Sequence, residues 1–225
     1  MSPDEVCLRL GPADAAARVL FIPPLFEEAN RTRRTIVMAM RALSARGIAS
    51  LLPDLPGQND SLVATADVDL SHWRCALTNQ GIGEASPLFV ASIRSGALMD
   101  DAVAAAGYWR LVPVAGANLL RTLLRARVAS DRERGIETSV DQLIAEAASA
   151  PLRLAGNLLS PTMISQLHAA EPTPLTPLRS VTLGNGADQI AGSPLWLRAE
   201  PGEDFAMAEA MAKDISAWIA TCAIA

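Results

Sequence analysis

The chain is short of aromatics, histidine, cysteine and positive charge, and each shortage excludes something. Aromatic residues make up 4% of the 225 positions, so the core must rest on Ala, Leu, Val and Ile. Only two histidines are present, His72 and His168. No histidine-rich tract and no C-x-x-C pair supplies the ligand spacing of a metal site. The three cysteines, Cys7, Cys75 and Cys222, are odd in number and far apart, which fits free thiols in a reducing compartment. A net charge of −5, with no basic stripe interleaved with aromatics, argues against nucleic acid as a partner. The opening residues MSPDEVCLRLG lack the basic and apolar regions of a signal peptide. No window approaches the ~18 consecutive apolar residues of a spanning helix. The expectation is a cytoplasmic chain with no transmembrane segment, no metal and no cofactor.

What is present is material for a buried core. Half the residues are hydrophobic and 19% are charged, enough for one domain of 225 residues with a doubly covered sheet. Val19–Ile22 is a short apolar run ending at Pro23-Pro24 and reads as a buried strand. From Asn30 the spacing turns helical through Ile36, Val37, Met40 and Leu43, with Asn30 or Thr32 as cap and Gly47 as stop. Ile48–Leu52, Leu88–Ala91 and Tyr108–Val114 are further strands, separated by helical patterns over 67–77 and 96–106. Gly116–Arg127 carries a stripe of Leu119, Leu120, Leu123 and Leu124 and predicts a packed helix. Ser130–Gly135 reads as a loop, Val140–Ala148 as a helix and Leu152–Leu154 as a short strand. Ser160-Pro161 opens another helix. Ser180–Leu183 and Pro194–Leu197 are the last strand candidates, and Asp204–Thr221 is a long terminal helix. Strands alternating with helices at this spacing predict an α/β class with a mostly parallel sheet and helices on both faces.

One segment points to chemistry. Residues 87–99 read PLFVASIRSGALM: an apolar strand, a turn with small residues at Ser92 and Gly96, then a helix-like run. This is the strand–turn–helix context of a nucleophile elbow, as in the α/β-hydrolase fold. The residue at its tip is Arg94, whose guanidinium has no lone pair with which to attack a carbonyl. The fold also asks for an acid and then a histidine, in that chain order. Asp188 follows the strand at 180–183. The loop after Pro194–Leu197 is RAEPGED and holds no histidine. His72 precedes the elbow and His168 precedes the last two strands, so neither is in order. Ser92, Ser95 and Asp188 are the remaining catalytic candidates. Ile93 is bulky for an elbow centred on Ser95, and Arg94 is bulky for one centred on Ser92. In a serine hydrolase, loss of the nucleophile or of its base costs on the order of 10⁶-fold.

Three segments, PPLFEEANRTRR (23–34), LLPDLPGQNDS (51–61) and SIRSGAL (92–98), together resemble the exosortase A system-associated hydrolase family, type 2. The similarity continues through YWRLVPVAGANLLRTLLRARVA (108–129) and LRLAGNLLSP (152–161). The resemblance implies an α/β-hydrolase-like fold in a single domain, a reduced cap at this chain length, and a bacterial setting linked to exopolysaccharide synthesis and protein sorting. Its most specific part supplies Phe26, Glu27, Glu28 and Asn30 as pocket candidates beside Arg94.

In this fold the loop after the Val19–Ile22 strand borders the elbow. A cation at a helix start is disfavoured by the helix dipole and calls for an acidic partner. Glu27 or Glu28 is therefore expected to pair with Arg94 and close the site. The other reading of Arg94 is bidentate recognition of an anionic small molecule, such as a carboxylate or phosphate on a sugar precursor. Three functions remain open: an accessory or anion-binding protein, a serine acyl hydrolase of esterase or thioesterase type, and a scaffold docking an exopolysaccharide-pathway protein.

Overall fold

The computed structural model describes residues 5–78, 80 and 85–222. The strands of the main sheet are β1 (Cys7–Leu10), β2 (Arg18–Ile22), β3 (Ala49–Pro53), β4 (Leu88–Ile93), β5 (Gly107–Leu111), β8 (Leu178–Leu183) and β9 (Gln189–Ile190). A separate hairpin holds β6 (Leu152–Leu154) and β7 (Asn157–Leu159). The helices are α1 (Glu27–Ser44), α2 (Leu70–Thr78), α3 (Gly116–Glu133), α4 (Val140–Ala147), α5 (Pro161–Ala169) and α6 (Phe205–Cys222). The main sheet has the order β1-β3-β2-β4-β5-β8-β9. Only β1 runs antiparallel to its neighbour; the other pairs are parallel. Chain order reverses at β2, which lies between β3 and β4. In such sheets ligands gather outside the carboxyl ends of the strands at this switch point.

Strand periodicity divides the core. Val19, Phe21, Phe89, Ala91, Ile93 and Trp109 point to the face covered by α1 and α6. Leu20, Ile22, Val90 and Tyr108 point to the other, covered by α2, α3, α5 and the hairpin. Because both faces are covered, the strands read as unbroken apolar runs. Burying one such side chain, Phe21 for example, contributes about 1.5–3 kcal/mol. The leucine stripe of α3 joins this second core, where the helix packs against α5, α4, the hairpin strand β6 and the turn after β4.

Several expected elements differ. No α-helix follows β4; two 3-10 turns, Arg94–Leu98 and Asp100–Ala102, take its place. Tertiary contacts override the local helical preference. Asp100 is drawn inward to Arg110 on β5, and Asp101 is clamped by Arg74 on α2. The stretch 194–197 is a 3-10 turn at Leu195–Leu197 and not a strand; the last strand is the shorter β9. The 130–135 loop is mostly helix, since α3 continues to Glu133 while Arg127 and Arg134 pair with Asp131. Neither Asn30 nor Thr32 caps α1, which starts at Glu27 behind Phe26. Strand β1 carries no strong signal of its own and is held at the edge by β3. The Ser160 cap and Pro161 start of α5 stand as read, with the Ser160 hydroxyl accepting from the Met163 amide.

Candidate active site

The end of β4 and the loop after β2 meet at the switch point. Gly96 permits the approach: a Cβ there would lie 2.4 Å from the Ile22 carbonyl oxygen and 2.8 Å from that of Pro23. The chain leaves β4 through Arg94, a non-glycine residue at φ 55°. Left-handed backbone of this kind costs an L-residue roughly 1–3 kcal/mol and is held by its surroundings. The facing loop has a second such residue, Phe26 at φ 59°, whose ring packs against Trp73 with centroids 5.6 Å apart. Both sides of the site are therefore built from constrained backbone.

Arg94 is held by two partners, Glu28 and Trp196. Its Nε and Nη2 donate to the two carboxylate oxygens of Glu28, each at 3.2 Å. Trp196 lies over the guanidinium at 4.7 Å, within cation–π range. Glu28 sits in the first turn of α1, where exposed amides and the helix dipole favour a carboxylate. One anion thus answers two positive groups, the helix start and Arg94. The side chains of Arg94 and Glu28 are 18% and 11% exposed, so the pair is largely shielded from water. Glu27 turns away and pairs with Arg31 at 3.0 Å. Arg31 also donates to the Trp196 carbonyl, tying the 195–197 turn to α1. Among the described residues, Nη1 of Arg94 makes no hydrogen bond.

The serines flanking Arg94 are fully buried. Ser95 Oγ accepts the Leu25 amide at 2.9 Å. In an α/β-hydrolase an amide from this loop helps form the oxyanion hole; here Leu25 directs its amide at the Ser95 hydroxyl. Ser92 Oγ donates to Asp100 at 2.7 Å, and Asp100 takes a two-pronged contact from Arg110 at 2.8 Å on each oxygen. Asp188 is 80% exposed and pairs with Arg179 at 3.3 Å, beside Asp214 of α6. Asn30 is exposed on α1. Both histidines are exposed, His72 on α2 against Asp69 and His168 in the last turn of α5. The structure brings Arg94, Glu28 and Phe26 to one place, and leaves Asn30 and Asp188 at the surface.

Sequence reasoning missed Trp196 and the Ser92–Asp100–Arg110 cluster. Trp196 was hidden inside an apolar run assigned to a strand. It stands in the connection between β9 and α6. The pair Asp100-Asp101 in an otherwise small, apolar stretch was the available signal for the buried cluster.

Solved structures show the same architecture. Alpha/beta hydrolase domain-containing protein 10 from mouse is 15% identical, with 96% of this chain and 93% of that one covered and a TM-score of 0.56. A thermophilic esterase from Thermogutta terrifontis, solved with malate bound, is 14% identical over 97% of this chain and 93% of its own, at a TM-score of 0.52. Est1E from Butyrivibrio proteoclasticus, solved with ferulic acid bound, is 16% identical over 73% of this chain and 66% of its own, at 0.50. At such identities the likeness is one of fold: the chain has the α/β-hydrolase fold. It matches no family model and no curated protein sequence.

Proposed function

We propose that this is a non-hydrolytic α/β-hydrolase-fold protein, an accessory or anion-binding component of a bacterial exopolysaccharide or exosortase system. The observation that carries the reading is the elbow itself: a guanidinium stands where the nucleophile belongs, clamped by Glu28 and covered by Trp196. The two neighbouring serines are buried and already hydrogen-bonded. The setting rests on the motif resemblance at 23–34, 51–61 and 92–98. The free Nη1 edge of Arg94 is the place for a carboxylate or phosphate.

A fluorophosphonate serine probe followed by intact-mass measurement tests the chemistry. Melting in glucose 1-phosphate or glucuronate, with and without Arg94→Gln, tests the anion site. The expected result is no adduct, and a stabilisation that the Arg94 variant loses. An adduct on Ser92 or Ser95 overturns the reading in favour of an acyl hydrolase. Stabilisation that survives Arg94→Gln removes Arg94 from the binding site.

A further inference from the structure

A basic cavity lies between the end of α3, the β6–β7 hairpin and the start of α1, and Arg94 is not part of its wall. Its volume is about 550 Å³, within the range of small-molecule sites. Arg127, Arg134 and Arg153 line it together with Ser130 and Gly156. Among the described residues, Glu27 is the only acid in the wall. The whole chain carries a net charge of −5, so three guanidiniums around one cavity run against its overall sign.

Each cation is anchored on one edge and open on another. Asp131 is fully buried, and its carboxylate accepts from Arg127 Nε at 2.9 and 2.8 Å, from the Thr138 hydroxyl at 3.0 Å, and from Arg134. Arg127 Nη1 donates to the Arg153 carbonyl at 2.9 Å, which ties α3 to the hairpin. Arg153 Nη1 donates to the Gly156 carbonyl at 3.1 Å, in a turn where Ala155 and Gly156 have φ of 47° and 79°. Two successive positive φ values are the backbone of a tight hairpin turn. Glu27 is answered by Arg31. The single carboxylate of Asp131 is thus shared by two arginines, and Arg153 has no acid opposite it. Among the described residues, Nη2 of Arg127, Nε and Nη1 of Arg134, and Nε and Nη2 of Arg153 make no hydrogen bond. These side chains reach solvent: Arg127 and Arg134 are 28% and 57% exposed, and Arg153 is exposed as well.

We infer that this cavity binds a diphosphate, as the free anion or as an ester, with its oxygens on the open edges of Arg127, Arg134 and Arg153. A guanidinium fork matches phosphate oxygens in pairs. Three open guanidiniums offer more than a single tetrahedral anion engages, and a diphosphate presents two linked anions to them. The bonds to Asp131, to the Arg153 carbonyl and to the Gly156 carbonyl already restrict the three side chains, so less freedom is lost on binding. The inference does not rest on the reading of Arg94.

Isothermal titration calorimetry of the full chain with pyrophosphate, ADP and sulfate, at neutral pH and equal ionic strength, tests this. Pyrophosphate or ADP should bind at a saturable site at least about tenfold tighter than sulfate, the discrimination given by one further charge-assisted hydrogen bond. Tighter binding of ADP makes the ester the ligand, and tighter binding of pyrophosphate makes it the free anion. Arg127 and Arg134 also hold the buried Asp131, so Arg153→Gln is the deciding variant, with its fold checked by circular dichroism. It should weaken the diphosphate roughly fivefold, the upper end for a solvent-exposed charge contact. Arg94→Gln should leave that affinity unchanged. Equal binding of diphosphate and sulfate overturns the proposal. So does an unaltered affinity in folded Arg153→Gln, or no diphosphate binding at millimolar concentration. A loss in Arg94→Gln in place of Arg153→Gln assigns the anion to the elbow and overturns it too.

Discussion

The ion pair at the elbow can be weighed by a double-mutant cycle of Arg94→Met and Glu28→Gln. Methionine keeps the contact with Trp196, so the cycle isolates the charge pairing. Each oxygen of Glu28 accepts one charged N–H at 3.2 Å. Hydrogen bonds to charged groups contribute about 1.5–3 kcal/mol, and these are longer than the ~2.7–2.9 Å of the strongest ones. Exposed pairs give about 0.2–1 kcal/mol, and this one is mostly shielded. The expected coupling is therefore about 1–2 kcal/mol, read from urea unfolding of the four proteins. For a chain of this size that corresponds to roughly 2–8 °C in Tm. Shielding also predicts a coupling that changes little between about 0.1 and 1 M salt. A coupling under about 0.3 kcal/mol, the usual scatter for non-interacting sites, would refute the reasoning. So would a coupling that vanishes with salt.

Asp100→Asn leaves the buried Arg110 without its counter-charge and should cost about 3–5 kcal/mol in urea unfolding, while Asp100→Leu with Arg110→Met recovers most of it; a loss under about 1 kcal/mol contradicts the burial argument. Asp214 gives the acid limb. Burial alone pushes its carboxyl up, but hydrogen bonds from Arg179 and Trp109, with the charge of Arg179, outweigh that and hold it below the usual range. Its unfolded value is about 3.9, so its contribution is complete above that pH and is lost as pH falls through the lower folded value. Asp214→Asn should flatten the stability–pH curve below about pH 4, and an unchanged curve would remove Asp214 as its source.

Much of the fold was legible because it is written in short-range pattern. The apolar runs at Val19–Ile22, Ile48–Leu52 and Leu88–Ala91 are buried on both faces, so their identity does not depend on distant detail. The start of α5 is settled by Ser160 and Pro161 alone. The 96–106 stretch was misread because its Ala-rich composition favours a helix, while Arg110 and Arg74, both outside it, pull its two aspartates apart. The 194–197 stretch was misread because Leu195 and Trp196 are buried through tertiary contacts, Trp196 against Arg94, while Leu197 is exposed, a reason no local window contains.

By itself the sequence determined the α/β class, the elbow and the oddity of Arg94 at its tip, since these follow from periodicity, turn residues and the chemistry of a single side chain. It also narrowed the partner of Arg94 to two adjacent glutamates. Only the tertiary structure chose between them, because residues 27 and 28 lie about 100° apart around a helix and one direction alone faces the elbow. The tertiary structure likewise placed Trp196 over the guanidinium and Arg33 against Asp54. Such contacts join segments far apart in the chain, and no local rule of sequence encodes a distance between them.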